Sequence, residues 1–208
     1  MRFLILLLCS YSLTVNAESF SVKVLTSNGE PIGGAVVELE LVSPQTNPEL
    51  LPQASVDQIN KRFVPHIIAV HKGSKVIFPN SDSIKHHVYS FSPAKTFELK
   101  LYRESLPTPI HLENEGVVAM GCSVHDWMAG YIYVSESQFF GQTDSEGVFQ
   151  TQLPAAVKSI TVWHPRFHEQ DVERGRNIPA NNAEFTFTLT KVLYPNQDIT
   201  VDELSEYE

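Results

Sequence analysis

The residues MGCSVHDWM, 120–128, put Cys122, His125 and Met128 at three-residue intervals. A thiol, an imidazole and a thioether so spaced are either soft metal ligands on one loop or a core thiol with two unrelated neighbours. The flanks establish the setting. GVVAMGC leads into the run and AGYIYVS leads out of it. Both have the apolar, β-branched and aromatic composition of short strands, so the run connects one strand to the next.

Working outward, the same two-residue period recurs almost everywhere. FSVKVLTSNGEPIGGAVVELELV reads as two strands, Phe20–Leu25 and Ala35–Val42, joined by a Gly- and Pro-rich turn. HIIAVHKGSKVIFPN reads as another pair, turning at Lys72-Gly73. KHHVYSFS and FELKLY follow, then GVFQTQL, SITVWHP and AEFTFTLTKV after the 120–128 run. Thirteen prolines and ten glycines punctuate these segments, and no long 3.6-residue period interrupts them. An all-β protein is expected, built as two sandwiches. Pro and polar residues replace the alternation over 43–53, which reads as a linker, and a second boundary falls near 135–141. The tail NQDITVDELSEYE is acidic with little to bury, so fraying is expected there.

The N-terminus carries an export signal. Met1-Arg2 precedes the apolar FLILLLCSYSLTV, and Val15 and Ala17 occupy the small-residue positions of a cleavage after Ala17. Leu8 is too large for lipoprotein processing at Cys9. Cleavage leaves Cys122 as the sole thiol of a protein in an oxidising compartment, where a thiol must be buried, paired between chains or bound to metal. Loss of Arg2 takes the 15 basic residues to 14 against 24 acidic ones, a formal charge of −10. That balance argues against a nucleic-acid partner, and no later segment has the length and apolarity of a membrane span.

Taken singly, Cys122 reads as a core thiol, Met128 as core filler and His125 as a surface histidine. Together they match what a type 1 copper centre needs: one thiolate, two imidazoles and a weak axial thioether. The second imidazole is sought on an earlier strand, and NSDSIKHHVYSF offers histidines about 36 residues upstream. With these residues in view, the segment 54–135 resembles a cupredoxin of the plastocyanin and amicyanin superfamily. The short Cys-x-x-His-x-x-Met loop is most similar to that of amicyanin. FPNSDSIKHHVYSFSPAKTFELKLY with GCSVHDWMAGY also resembles cupredoxin-containing proteins of the methylamine utilization protein-like group. The resemblance implies a Greek-key sandwich and one copper ion per chain.

The family's His-x-Val pattern falls on His86-His87-Val88, so the resemblance implies His86, Cys122, His125 and Met128 as ligands. Strand alternation turns His87 to the other face. The family position that braces the loop falls on Asn80, whose side chain is expected to bond Ser123. Asp126-Trp127 depart from the pattern inside the loop. The implied function is one-electron transfer in the periplasm, with a c-type cytochrome or a dehydrogenase as redox partner and His125 as the electron's exit. A copper carrier or reservoir, and an interaction module with structural copper, are the alternative readings. An enzyme is not expected, because the Cys–His pair lacks an orienting third group and an oxyanion site.

GEPIGGAVVELE, TDSEGVFQTQLP and ITVWHPRF resemble the carboxypeptidase regulatory-like β-sandwich, an Ig-like fold. This gives a division into signal peptide 1–17, first part of the outer sandwich 18–53, cupredoxin domain 54–135, second part 136–195 and acidic tail 196–208. Of the remaining histidines, His66 and His71 are expected at strand ends and His111 at the surface. His164 and His168 are candidates for a weak second metal site.

Overall fold

The computed structural model describes residues 18–43, 53–180 and 183–195. Residues 1–17, 44–52, 181–182 and 196–208 lie outside the described residues, and with them the expected signal peptide and acidic tail. The described chain is nearly all β, with one short helix, Glu169–Arg174, among its strands. No helix in it is long and apolar enough to cross a membrane.

Alternation builds two separate hydrophobic cores. In the strand Glu18–Leu25, Phe20, Val22 and Val24 are buried on one face. That strand pairs antiparallel with Val148–Leu153 and parallel with Glu184–Thr188. A second sheet runs Phe139–Gln142, Val36–Leu41, Val157–Trp163 and Ile178–Pro179. The two sheets share a core of Val22, Val24, Leu39, Ile160, Val162 and Phe187. It draws on segments from both ends of the chain, so it closes only when 18–41 meets 139–188.

The middle of the chain makes its own core. A five-stranded sheet orders Ile67–His71, Ala129–Ser135, Gly116–Cys122, His86–Ser92 and Lys95–Tyr102. Ala54–Ser55, Lys75–Ile77 and Ile110–His111 form a smaller sheet. Phe63, Phe78, Val88, Val118 and Ile132 are buried with Met120, Cys122 and Met128.

Two pairs of strands that the sequence joins through a turn do not pair with each other. Ile67–His71 and Lys75–Ile77 flank the Lys72-Gly73 turn, where Gly73 has φ +90°, yet they enter different sheets. Likewise Glu18–Leu25 and Val36–Leu41 join opposite sheets of their sandwich. Periodicity reports which face of a strand is apolar, whereas partner choice depends on segments far away in sequence. A true hairpin, Asp57–Ile59 with Arg62–Val64, carries no Asn-Gly or Asp-Gly signal and was not expected.

Trp163 joins the two cores. With Val36 and Ile67 it forms a small buried cluster, and its ring lies 5.8 Å from that of Tyr131 and 5.7 Å from that of Tyr133. Both tyrosines sit on Ala129–Ser135, the strand that begins immediately after Met128. Trp163 of the outer sheet therefore packs against the strand that follows the 120–128 loop.

Candidate metal centre

His86 opens its strand and Cys122 closes the neighbouring one, with Cys122 directly opposite Val88. Residues two apart in a strand share a face, so His86 and Val88 both turn inward and His87 turns away. The burial of 86–88 follows that alternation. The loop after Cys122 closes on its own backbone: the Met128 N–H donates to the His125 carbonyl at 3.0 Å, and the Cys122 N–H to the Met128 carbonyl at 3.2 Å.

This closure delivers the imidazole of His125 to the thiol. The Nδ1 atoms of His86 and His125 lie 3.7 and 3.8 Å from the Cys122 Sγ. The two rings are 5.0 Å apart, and the three ligand atoms all fall within 4.8 Å of one another. No other such cluster of three or more His, Cys, Asp or Glu occurs among the described residues. His86, Cys122, His125 and Met128 are 0, 3, 7 and 2 % exposed, so His125 keeps the most solvent contact of the four. Met128 packs in the same core cluster as Cys122.

The spacing fits a metal. With bonds of about 2.3 Å to sulfur and about 2.0 Å to nitrogen, an angle of about 120° at the ion separates the two donors by about 3.7 Å. A tetrahedral angle gives about 3.5 Å. The observed distances lie close to both values, so one ion could be reached by the thiol and both imidazoles. Burial, then the charges of His86 and Lys61, hold His125 below its ordinary pKa despite the opposing carboxylate of Asp82. That direction favours the neutral ring that a metal ligand needs.

No protein-family model matches this sequence, and no curated protein does. Among solved structures, a reduced Cu(I) form of an amicyanin mutant at pH 4 is similar with a TM-score of 0.37 at 16 % identity, over 48 % of this chain and 98 % of that one. An oxidised form of another amicyanin mutant gives 0.37 and 16 % over the same shares. The copper-containing nitrite reductase of Thermus scotoductus SA-01 gives 0.39 and 19 %, over 47 % of this chain and 25 % of that one. These are partial likenesses, and the chemistry rests on the site itself.

The expected brace differs in its partners. The Nδ2 of Asn80 donates to the carbonyls of Ile84 and Tyr102, both at 3.0 Å, and its Oδ1 accepts the Asp82 N–H at 3.0 Å. It therefore stiffens the loop leading into His86 and does not make the expected bond to Ser123. Ser123 follows the inward-facing Cys122, so it faces the opposite side. There its Oγ shares a hydrogen bond with the Nδ1 of His87 at 2.7 Å, while the Nε2 of His87 bonds Glu98 at 2.9 Å. The Trp127 ring lies beside that of His125, tilted by 54° with the centroids 5.3 Å apart.

Sequence reading missed Asp82. Its Oδ2 lies 2.7 Å from the Nε2 of His86. Burial disfavours its charge, but the backbone N–H groups of Lys61 and Asn60, with His86, outweigh that and hold its carboxyl below the usual carboxylate range. The contact to Lys61 and Asn60 spans more than twenty residues, so no local pattern announces it.

The other histidines stay apart from this centre. His66 and His71 flank a strand as expected, and exposed His111 sits 3.6 Å from Glu113. His164 is buried, its Nδ1 accepting the Arg166 N–H at 3.2 Å, whereas His168 stacks on Tyr194 at 3.8 Å. Neither belongs to the cluster of His86, Cys122 and His125.

Proposed function

We propose that this protein binds one copper ion as a type 1 centre and passes single electrons. His86, Cys122 and His125 are the close ligands, and Met128 is the fourth, weaker one. The observation that carries this reading is the buried thiol with two imidazole Nδ1 atoms 3.7 and 3.8 Å from its sulfur. Bound there, copper would supply a one-electron couple. The chain's own contribution is a rigid, nearly dry cradle: two paired strands hold His86 and Cys122, and the self-bonded loop holds His125 and Met128. Such a cradle changes little between oxidation states, which favours outer-sphere transfer through the His125 edge.

The same reading makes 54–135 a cupredoxin domain inserted into a regulatory-like β-sandwich formed by 18–53 and 136–195. The two separate cores support that division. Export to the periplasm and a redox partner such as a c-type cytochrome or a dehydrogenase complete it. The protein is then a carrier and not an enzyme.

The test is a visible spectrum with metal analysis of protein purified in air. One copper per chain and an intense thiolate charge-transfer band are expected, and Cys122→Ser removes the band. Competition for Cu(I) with a graded chelator series separates electron transfer from copper delivery. Slow loss with reversible voltammetry supports the electron carrier, and rapid loss on reduction would favour delivery. The closed loop argues for retention.

A further inference from the structure

Asp82 is tied to two separate segments, the strand that begins at His86 and the turn at Asn60–Lys61. Its Oδ2 meets the Nε2 of His86 at 2.7 Å and accepts the Lys61 N–H at 2.9 Å, while its Oδ1 accepts the Asn60 N–H at 2.6 Å. Asn60 and Lys61 are the two central residues of the turn in the 57–64 hairpin, with φ 53° and 57°. Positive φ at both positions lets two successive N–H groups converge on one carboxylate. The hairpin is anchored in turn, because the Asp57 carboxylate accepts the Ser81 N–H at 3.1 Å and its hydroxyl at 2.7 Å. The Asp82 side chain is only 11 % exposed.

A carboxylate can only accept, so the Nε2 of His86 must carry the hydrogen of that bond. In a neutral ring the Nδ1 lone pair is then free, and it is this atom that lies 3.7 Å from the Cys122 Sγ. The hairpin turn holds Asp82, Asp82 orients His86, and His86 faces the thiol.

We propose that Asp82, seated in the Asn60–Lys61 turn, is a positioning residue that holds His86 with Nδ1 bare toward Cys122 and places a negative charge beside the centre. The inference rests on the copper reading for its second half alone. The charge stabilises the more positive oxidation state and so lowers the reduction potential.

The first measurement uses metal-free protein: nitrogen-15 NMR of the imidazoles at about pH 8, above the ordinary histidine pKa. His86 is expected as the Nε2–H tautomer alone in the wild type. Asp82→Asn keeps it, because the amide oxygen still accepts. Asp82→Ala yields both tautomers. The second measurement is voltammetry of the copper forms. Asp82→Asn should shift the ratio of Cu(II) to Cu(I) affinity at least tenfold toward Cu(I), a rise of about 59 mV for one electron.

A single Nε2–H tautomer in Asp82→Ala overturns the positioning role, and an unchanged potential in Asp82→Asn overturns the charge role. Should Asp82→Ala fail to fold, Asp82→Asn decides the positioning role by itself, and loss of the single tautomer there overturns it. If the wild type takes up no copper, the copper reading and the charge role fall together, and the metal-free tautomers still decide the positioning role.

Discussion

Acid should destabilise this protein through His164. The residue is 8 % exposed, and burial first, then Arg166 and His66, push its pKa down from 6.5 to about 4. Geometry agrees independently: Nδ1 accepts the Arg166 N–H, which a protonated Nδ1 cannot do. Above pH 6.5 the ring is neutral in both folded and unfolded chains and stability is unaffected. As pH falls from 6.5 toward 4, the unfolded chain takes up a proton that the folded one resists, and stability drops. The loss is about 2 kcal/mol between pH 7.5 and pH 5, and approaches about 3 kcal/mol below pH 4. For a chain of this size, 2 kcal/mol lowers Tm by about 4–8 °C. The assay is urea unfolding of wild type and His164→Asn at pH 7.5 and pH 5. Asn retains an acceptor near the Nδ1 position and does not titrate, while carboxylates and other histidines titrate alike in both proteins and cancel in the difference. The wild type should lose about 2 kcal/mol more than the variant across this interval. Equal losses in the two proteins would refute a buried neutral His164.

Other outcomes follow from the site and its supports. His86→Ala should bleach the copper band, whereas His87→Ala, which removes the contacts to Ser123 and Glu98, should leave it nearly intact; optical titration with Cu(II) distinguishes the two. Gly130→Ala puts a Cβ 2.9 Å from the Phe63 Cβ and 3.1 Å from the Met120 Cε, just downstream of Met128, and should cost about 1–3 kcal/mol in urea unfolding. Trp163→Ala should cost about 3–5 kcal/mol by the same assay, because the ring is 9 % exposed and packs against both tyrosines of the neighbouring strand. Copper at 100 times its Kd should raise wild-type stability by about 2.7 kcal/mol, and Cys122→Ser should abolish most of that gain.

Local chemistry made part of this protein legible. The all-β class follows from a two-residue period sustained along the chain, because alternation is a property of each strand alone. The loop candidates were legible for the same reason: Cys122, His125 and Met128 occur together on the connection between two strands that pair. His86 came from the His-x-Val pattern of the resembling family, and alternation added only that His87 faces the other side, which the burial of 86–88 follows. What lay beyond sequence depends on contacts between distant segments. Which sheet receives Ile67–His71 or Lys75–Ile77 is set by partners dozens of residues away. Asn80 turned to Ile84 and Tyr102 because Ser123 faces the other side of its strand. Asp82 reads as one more loop carboxylate until a hairpin more than twenty residues earlier folds its turn over it. Backbone donors carry no side-chain signature, so only tertiary structure decided that this aspartate, among many, faces the centre.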